Sequence, residues 1–134
     1  LKENGRLFDG VKDILKNLKE KNLKIALASS SDRKLVNFVM DTFGLSGFFD
    51  VLMTGDDVAK SKPDPEIVLK AAEKLGLEPK DCIVIEDAHN GVAAGKAARM
   101  KVIGITSTFP REKLIGADVI MNSIEEIPDK FNEI

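Results

Sequence analysis

Short apolar runs alternate with helix-period segments along the chain, and that alternation fixes the fold class before any single residue matters. Val11, Ile14, Leu15 and Leu18 recur at i, i+3, i+4 and i+7 between Gly10 and Asn22, as on one face of an amphipathic helix. Residues 23–28 form an apolar run broken only by Lys24 and closed by Ser29-Ser30-Ser31, which reads as a strand. A helix over 32–43 follows, capped by a Ser or Asp at its start and stopped by Gly44. Residues 48–53 read as a second strand and Thr54-Gly55-Asp56-Asp57 as a turn. Pro63 and Pro65 then set an extended entry, with Asp64 as N-cap, Pro65 at the first helical position, and Gly76 ending the helix after Leu75. Strands over 81–85, 101–106 and 117–121 complete the pattern, with a small-residue helix over 90–100 and a last short helix over 124–131. The small residues Gly91, Ala93, Ala94, Gly95, Ala97 and Ala98 let that helix lie close on a sheet.

Strands and helices of these lengths, in alternation, require right-handed crossovers and a mainly parallel sheet covered on both faces, a three-layer Rossmann-like α/β architecture. With 134 residues and 43% hydrophobic side chains, the chain can bury one core, and no linker or repeat divides residues 1–134. Net charge is -2 and basic residues are dispersed among acids, which argues against a nucleic-acid partner. The apolar runs are far shorter than the roughly 18 residues of a membrane span, so a soluble, cytoplasmic protein is expected. The single cysteine, Cys82, suits a reducing compartment and reads as a buried bystander. The chain opens on Leu1 rather than methionine, which we read as a sign that a segment before it has been removed or left out.

In open parallel sheets, ligands bind at the carboxyl ends of the strands. Ser29, Lys62 and the pair Glu86-Asp87 fall where apolar runs stop and helices begin. A strand-end carboxylate facing a phosphate suits magnesium, which accepts one or two carboxylates and keeps several waters; Asp87 could equally cap the helix beginning near Ala88. The Lys62 ammonium can neutralise a phosphate oxygen and pair with a strand-end carboxylate, or stand in solvent as Lys60 does. Ser29 precedes a helix N-terminus, where backbone N–H groups favour an anion; Ser29, Ser30 and Ser31 can share that role with helix capping. His89 has no Cys or His partner at metal spacing and is not assigned a catalytic role. Asp9, in Phe8-Asp9-Gly10, does not end an apolar strand and reads as a helix cap.

The order Ser, Lys-Pro, Glu-Asp in these surroundings resembles the haloacid dehalogenase-like superfamily of phosphohydrolases, in the branch of β-phosphoglucomutase and phosphoglycolate phosphatase. The resemblance rests on Leu7-Phe8-Asp9-Gly10-Val11, residues 24–31, 61–65 and 83–98. It implies that Ser29 binds the transferring phosphoryl group with Ser30 and Ser31 beside it, that Lys62 stabilises its charge, and that Asp87 holds Mg2+ with Glu86 in support. It implies a small phosphorylated metabolite as substrate and an aspartyl-phosphate intermediate, formed by an aspartate at the end of a first strand. Where mutases of this branch commonly carry Lys-Asn, the chain has Asp32-Arg33, which disfavours a mutase. Arg99 stands at a helix end where glycine is usual in the family, implying a strained turn.

No Asp-x-Asp follows an apolar run before Ser29. By resemblance, the first strand lies in mid-sheet, between the strand ending at Ser29 and the one ending at Asp87, and a cap domain follows it. The chain is therefore expected to form the C-terminal part of the core, without cap or first strand. Removing a central strand forfeits about four large apolar side chains, roughly 6–12 kcal/mol, against the ~5–15 kcal/mol that holds a whole domain together. Three outcomes are expected: an N-terminal segment fills the slot, the flanking strands close on each other, or a second chain associates. As given, the chain is expected to be inactive for lack of the nucleophile. A non-catalytic module binding phosphate and magnesium, or a mutase fragment, are the alternatives. A phosphoacceptor receiver domain has the right size, but its acid pair comes first and its lysine last, the reverse of the order here.

Overall fold

Two parallel sheets, rather than one continuous sheet, organise the molecule. The computed structural model describes the backbone of residues 5–127 and the side chains of residues 10–127. In chain order the elements are α1 (Gly5–Glu20), β1 (Ala26–Ala28), α2 (Arg33–Phe43), β2 (Val51–Met53), α3 (Glu66–Leu75), β3 (Ile83–Glu86), α4 (His89–Ala97), β4 (Lys101–Ile105) and β5 (Val119–Met121). Strand β1 pairs with β2, and β3 pairs with β4, which pairs with β5. All pairings are parallel, with Leu27 opposite Leu52, Ile85 opposite Ile103, and Gly104 opposite Ile120.

Side-chain alternation along each strand divides the core into layers. On one face of β1 and β2, Ala26, Ala28 and Met53 pack against Ile67, Val68, Ala71 and Ala72 of α3. On the other, Ile25 and Leu27 meet Leu15 of α1 and Val36 and Met40 of α2. The second sheet repeats the arrangement, with Val84 and Val102 against Val92 of α4, and Ile83, Ile103 and Ile105 against Ile127. Gly95 is what lets α4 approach: a Cβ there would lie 2.6 Å from Val102 Cγ2. The sequence-based expectation of a close-lying, small-residue helix is met by this contact.

Several element ends differ from the sequence reading. Asp32 caps α2, its Oδ1 accepting from the Leu35 amide at 2.8 Å, and Gly44 and Gly76 end α2 and α3 in the left-handed region, all as expected. Pro65, not Asp64, is the N-cap of α3; Asp64 Oδ1 instead takes the Glu66 amide at 2.9 Å, so the side-chain cap works from one residue further back. Helix α1 begins at Gly5, so Asp9 lies within it and does not precede it. Of the helix expected over 124–131, the described residues show a first turn, Ile124–Glu126, running into a helical Ile127, and residues 128–131 lie outside the described residues. Arg99 has φ 64°, the backbone region that glycine enters freely, in line with the expected strain at that turn.

Between β1 and β3 lies a cleft of about 320 Å³, lined by residues 23–28 and 81–86 and floored by Val68, Ala71 and Met100. Among the described residues no strand occupies it, and β1 and β3 do not close on each other. Ser29 N–H donates to Met53 O and Ile25 O accepts from Asp50 N–H, so residues 25 and 29 turn their hydrogen-bonding groups toward β2. In a parallel ladder alternate residues bond the same neighbour, which directs the polar backbone groups of Ala26 and Ala28 into the cleft. Ile85 is exposed although it sits mid-strand. Cys82, expected to be buried, is half-buried and lines the cleft; burial pushes its thiol pKa up, with Asp81 adding to the effect.

Candidate active site

The carboxyl ends of β1 and β3 open on the same side of the cleft, and Lys62 joins them. Its Nζ donates to Ala28 O at 3.0 Å and to Glu86 Oε2 at 3.2 Å. Only 13% of the Lys62 side chain and 16% of the Glu86 side chain remain exposed, so the pair is held where water screens it weakly. The Lys62-Pro63 bond is cis. The sequence expectation of a lysine held on a proline-flanked segment, pairing with a strand-end carboxylate, corresponds to this contact.

Glu86 is fixed from a second side by Gly91. A Cβ at Gly91 would fall 1.9 Å from the Glu86 carboxyl carbon, so the carboxylate lies over the first turn of α4 in space that only glycine leaves open. Glu86 Oε1 also accepts from the Asp87 amide at 3.3 Å. Both oxygens of Glu86 are thereby engaged.

Asp87 does not cap α4; the N-cap is Ala88, without a side-chain bond. Its Oδ2 accepts instead from Thr108 Oγ1 at 2.8 Å. Thr108 escaped the sequence reading, although Thr106-Ser107-Thr108 follows an apolar run just as Ser29-Ser30-Ser31 does. Among the described residues no three His, Cys, Asp or Glu side chains converge as a metal cage. Magnesium needs fewer: one or two carboxylates, with waters and phosphate oxygens completing its shell. Asp87, bonded to a neutral hydroxyl, fits that requirement, whereas Glu86 is committed to Lys62.

Ser29 sits at the end of β1, where its Oγ accepts from the Ser31 amide at 3.1 Å and its hydroxyl proton remains to be given. The hydroxyl closes a local turn and leaves the helix cap to Asp32. Ser30 is exposed and Ser31 half-buried. Gly55, in the turn after β2, holds this loop through its N–H to Ser31 O at 2.7 Å. His89 is exposed at the start of α4.

The family model for haloacid dehalogenase-like hydrolases matches residues 1–105. The chain is 35% identical over 119 residues to validoxylamine A 7'-phosphate phosphatase of Streptomyces hygroscopicus subsp. limoneus, covering 89% of this chain and 56% of that protein. It is 34% identical over 132 residues to hexitol phosphatase B of Escherichia coli K12, covering 97% and 60%. The crystal structure of a β-phosphoglucomutase from Clostridium difficile superposes with a TM-score of 0.80 at 32% identity, covering 92% of this chain and 56% of that one. The chain thus spans somewhat over half the length of these relatives. No helix among the described residues is long and apolar enough to cross a membrane. With the family match over most of its length and the parallel α/β fold it shares with these proteins, the chain belongs to the haloacid dehalogenase-like hydrolases.

Proposed function

We propose that the chain supplies the receptive part of a phosphohydrolase site for a small phosphorylated metabolite, completed by a strand that enters the cleft between β1 and β3. The observation that carries this reading is the Lys62 ammonium, set between Ala28 O and Glu86 across that cleft. An apolar strand ending in Asp-x-Asp would bring its first carboxylate beside that cation. The strand would come from an N-terminal segment or a second chain.

The carboxylate attacks phosphorus, the bond from phosphorus to the substrate oxygen breaks, and that oxygen takes a proton from the second aspartic acid. Water then attacks the aspartyl-phosphate, losing its proton to the same residue, and phosphate leaves with the carboxylate restored. Lys62 balances charge on the phosphoryl oxygens, the Ser29 hydroxyl donates to one of them, and the Ser30-Ser31 segment forms the wall of the site. Asp87 would hold Mg2+, which adds charge stabilisation when bound. Without the attacking carboxylate the chain binds and does not turn over. The relatives that act on phosphate esters support this chemistry for the family, and a cytoplasmic setting suits such a substrate.

The test is hydrolysis of p-nitrophenyl phosphate by the chain combined with a peptide strand ending in Asp-x-Asp, in magnesium. Hydrolysis that disappears on replacing the first aspartate by asparagine supports the reading. A folded, strand-bound complex that hydrolyses nothing contradicts it; if it still binds phosphate, the alternative of a binding module takes its place.

A further inference from the structure

Thr54, directly after β2, is wholly buried, and its surroundings do more than end a strand. Its N–H and Oγ1 both donate to Asp57 Oδ2, at 2.7 and 2.9 Å. The same oxygen receives the Arg33 guanidinium from α2. One carboxylate oxygen therefore collects three donors from two elements. The turn grips the serine loop at two more points: Asp56 Oδ2 accepts from the Arg33 amide at 3.0 Å, and Gly55 N–H donates to Ser31 O at 2.7 Å. The approach is so close that a Cβ on Gly55 would lie 2.5 Å from Ser30 O.

Capping the turn requires only Thr54 and Asp57. The additional ties from Asp56, Gly55 and Arg33 all lead to residues 30–33, the segment that carries the candidate phosphate-binding serines. The charges point the same way. Arg33 offsets the Asp57 charge beside the loop, and the Asp56 carboxylate is turned onto the Arg33 amide. We propose that Asp57 and Arg33 are positioning residues that preset the Ser29–Ser31 loop for a phosphoryl group, neither of them touching it. This rests on the reading of that loop as the phosphate site.

The experiment compares the wild-type chain with Asp57→Asn and Arg33→Met, the second variant guarding against loss of folding in the first. Calorimetry with inorganic phosphate gives affinity, and hydrogen exchange at the Gly55 amide gives the integrity of the tie to Ser31. Roughly three- to tenfold weaker phosphate binding, with faster Gly55 exchange, is expected in both variants. Folded variants with unchanged affinity and unchanged exchange overturn the positioning role while leaving the phosphate site standing. A wild-type chain that takes up no phosphate overturns the phosphate site itself, and the positioning role with it.

Discussion

The carboxyl carbon of Glu86 stands 1.9 Å from where the Cβ of any other residue at Gly91 would be. Lys62 holds one oxygen of that carboxylate and the Asp87 amide the other, so the end of β3 is wedged between a cation and a helix turn. The same Lys62 ammonium reaches Ala28 O at 3.0 Å, so one cation ties the ends of β1 and β3.

Gly91→Ala should destabilise the fold by about 1–3 kcal/mol, because a methyl must displace a carboxylate held on both oxygens. Urea denaturation reads the loss. Combining it with Glu86→Ala, which clears the space, should cost less than the two changes summed.

Lys62→Met removes the cation and leaves Glu86 facing the cleft without its charge partner. A loss of about 2–3 kcal/mol is expected, since both side chains are largely out of water. Adding Glu86→Gln to Lys62→Met should recover part of it. An additive double variant would mean that the ion pair contributes nothing to the fold.

Thr108→Val should leave stability within about 0.5 kcal/mol, because Thr108 is exposed. It should nonetheless weaken magnesium binding several-fold, by freeing the Asp87 carboxylate to turn away. Thr108→Ser keeps the hydroxyl and should restore the affinity. Calorimetric titration with magnesium on the two variants separates loss of the hydroxyl from loss of the methyl group.

Element order was legible in the sequence because period and punctuation agree: the Leu15 and Leu18 stripe, the Asp32 cap and the stops at Gly44 and Gly76 all appear where local chemistry demands them. The Lys62–Glu86 contact was legible because both residues end apolar or proline-fixed segments. The Thr108–Asp87 and Arg33–Asp57 contacts were not, since each joins residues more than twenty positions apart with no motif to pair them, whereas the Thr54–Asp57 bonds that close the turn are local. Nor could the sequence decide between closure of β1 on β3 and an open cleft. In the folded chain β1 and β3 stay in separate sheets, and Lys62 spans the opening between them from Ala28 O to Glu86.

Stability should fall as the medium is acidified below about pH 4.5. Lys70 first, then the Ala59 and Lys60 amides, lower the Glu66 carboxyl from its ordinary 4.5 to about 2. Asp57 is lowered chiefly by the Thr54 amide, Asp50 by Lys19, and Asp118 by Lys96. Each group is more acidic folded than unfolded, so its contribution is complete above the unfolded value and lost as pH drops toward the folded one. The urea midpoint should decline between pH 5 and pH 2, and Glu66→Gln should show a smaller decline. A midpoint that rises on acidification would contradict the assignment.

If the cleft between β1 and β3 receives a strand, hydrogen exchange at the Ala26 and Ala28 amides will show it. In the chain alone these groups face the cleft and should exchange quickly beside Leu27, which bonds to β2. With an apolar peptide ending in Asp-x-Asp bound, both should slow by at least about tenfold while Leu27 is unchanged. Unchanged exchange at Ala26 and Ala28 with the peptide bound would show that it docks elsewhere, and would contradict the account.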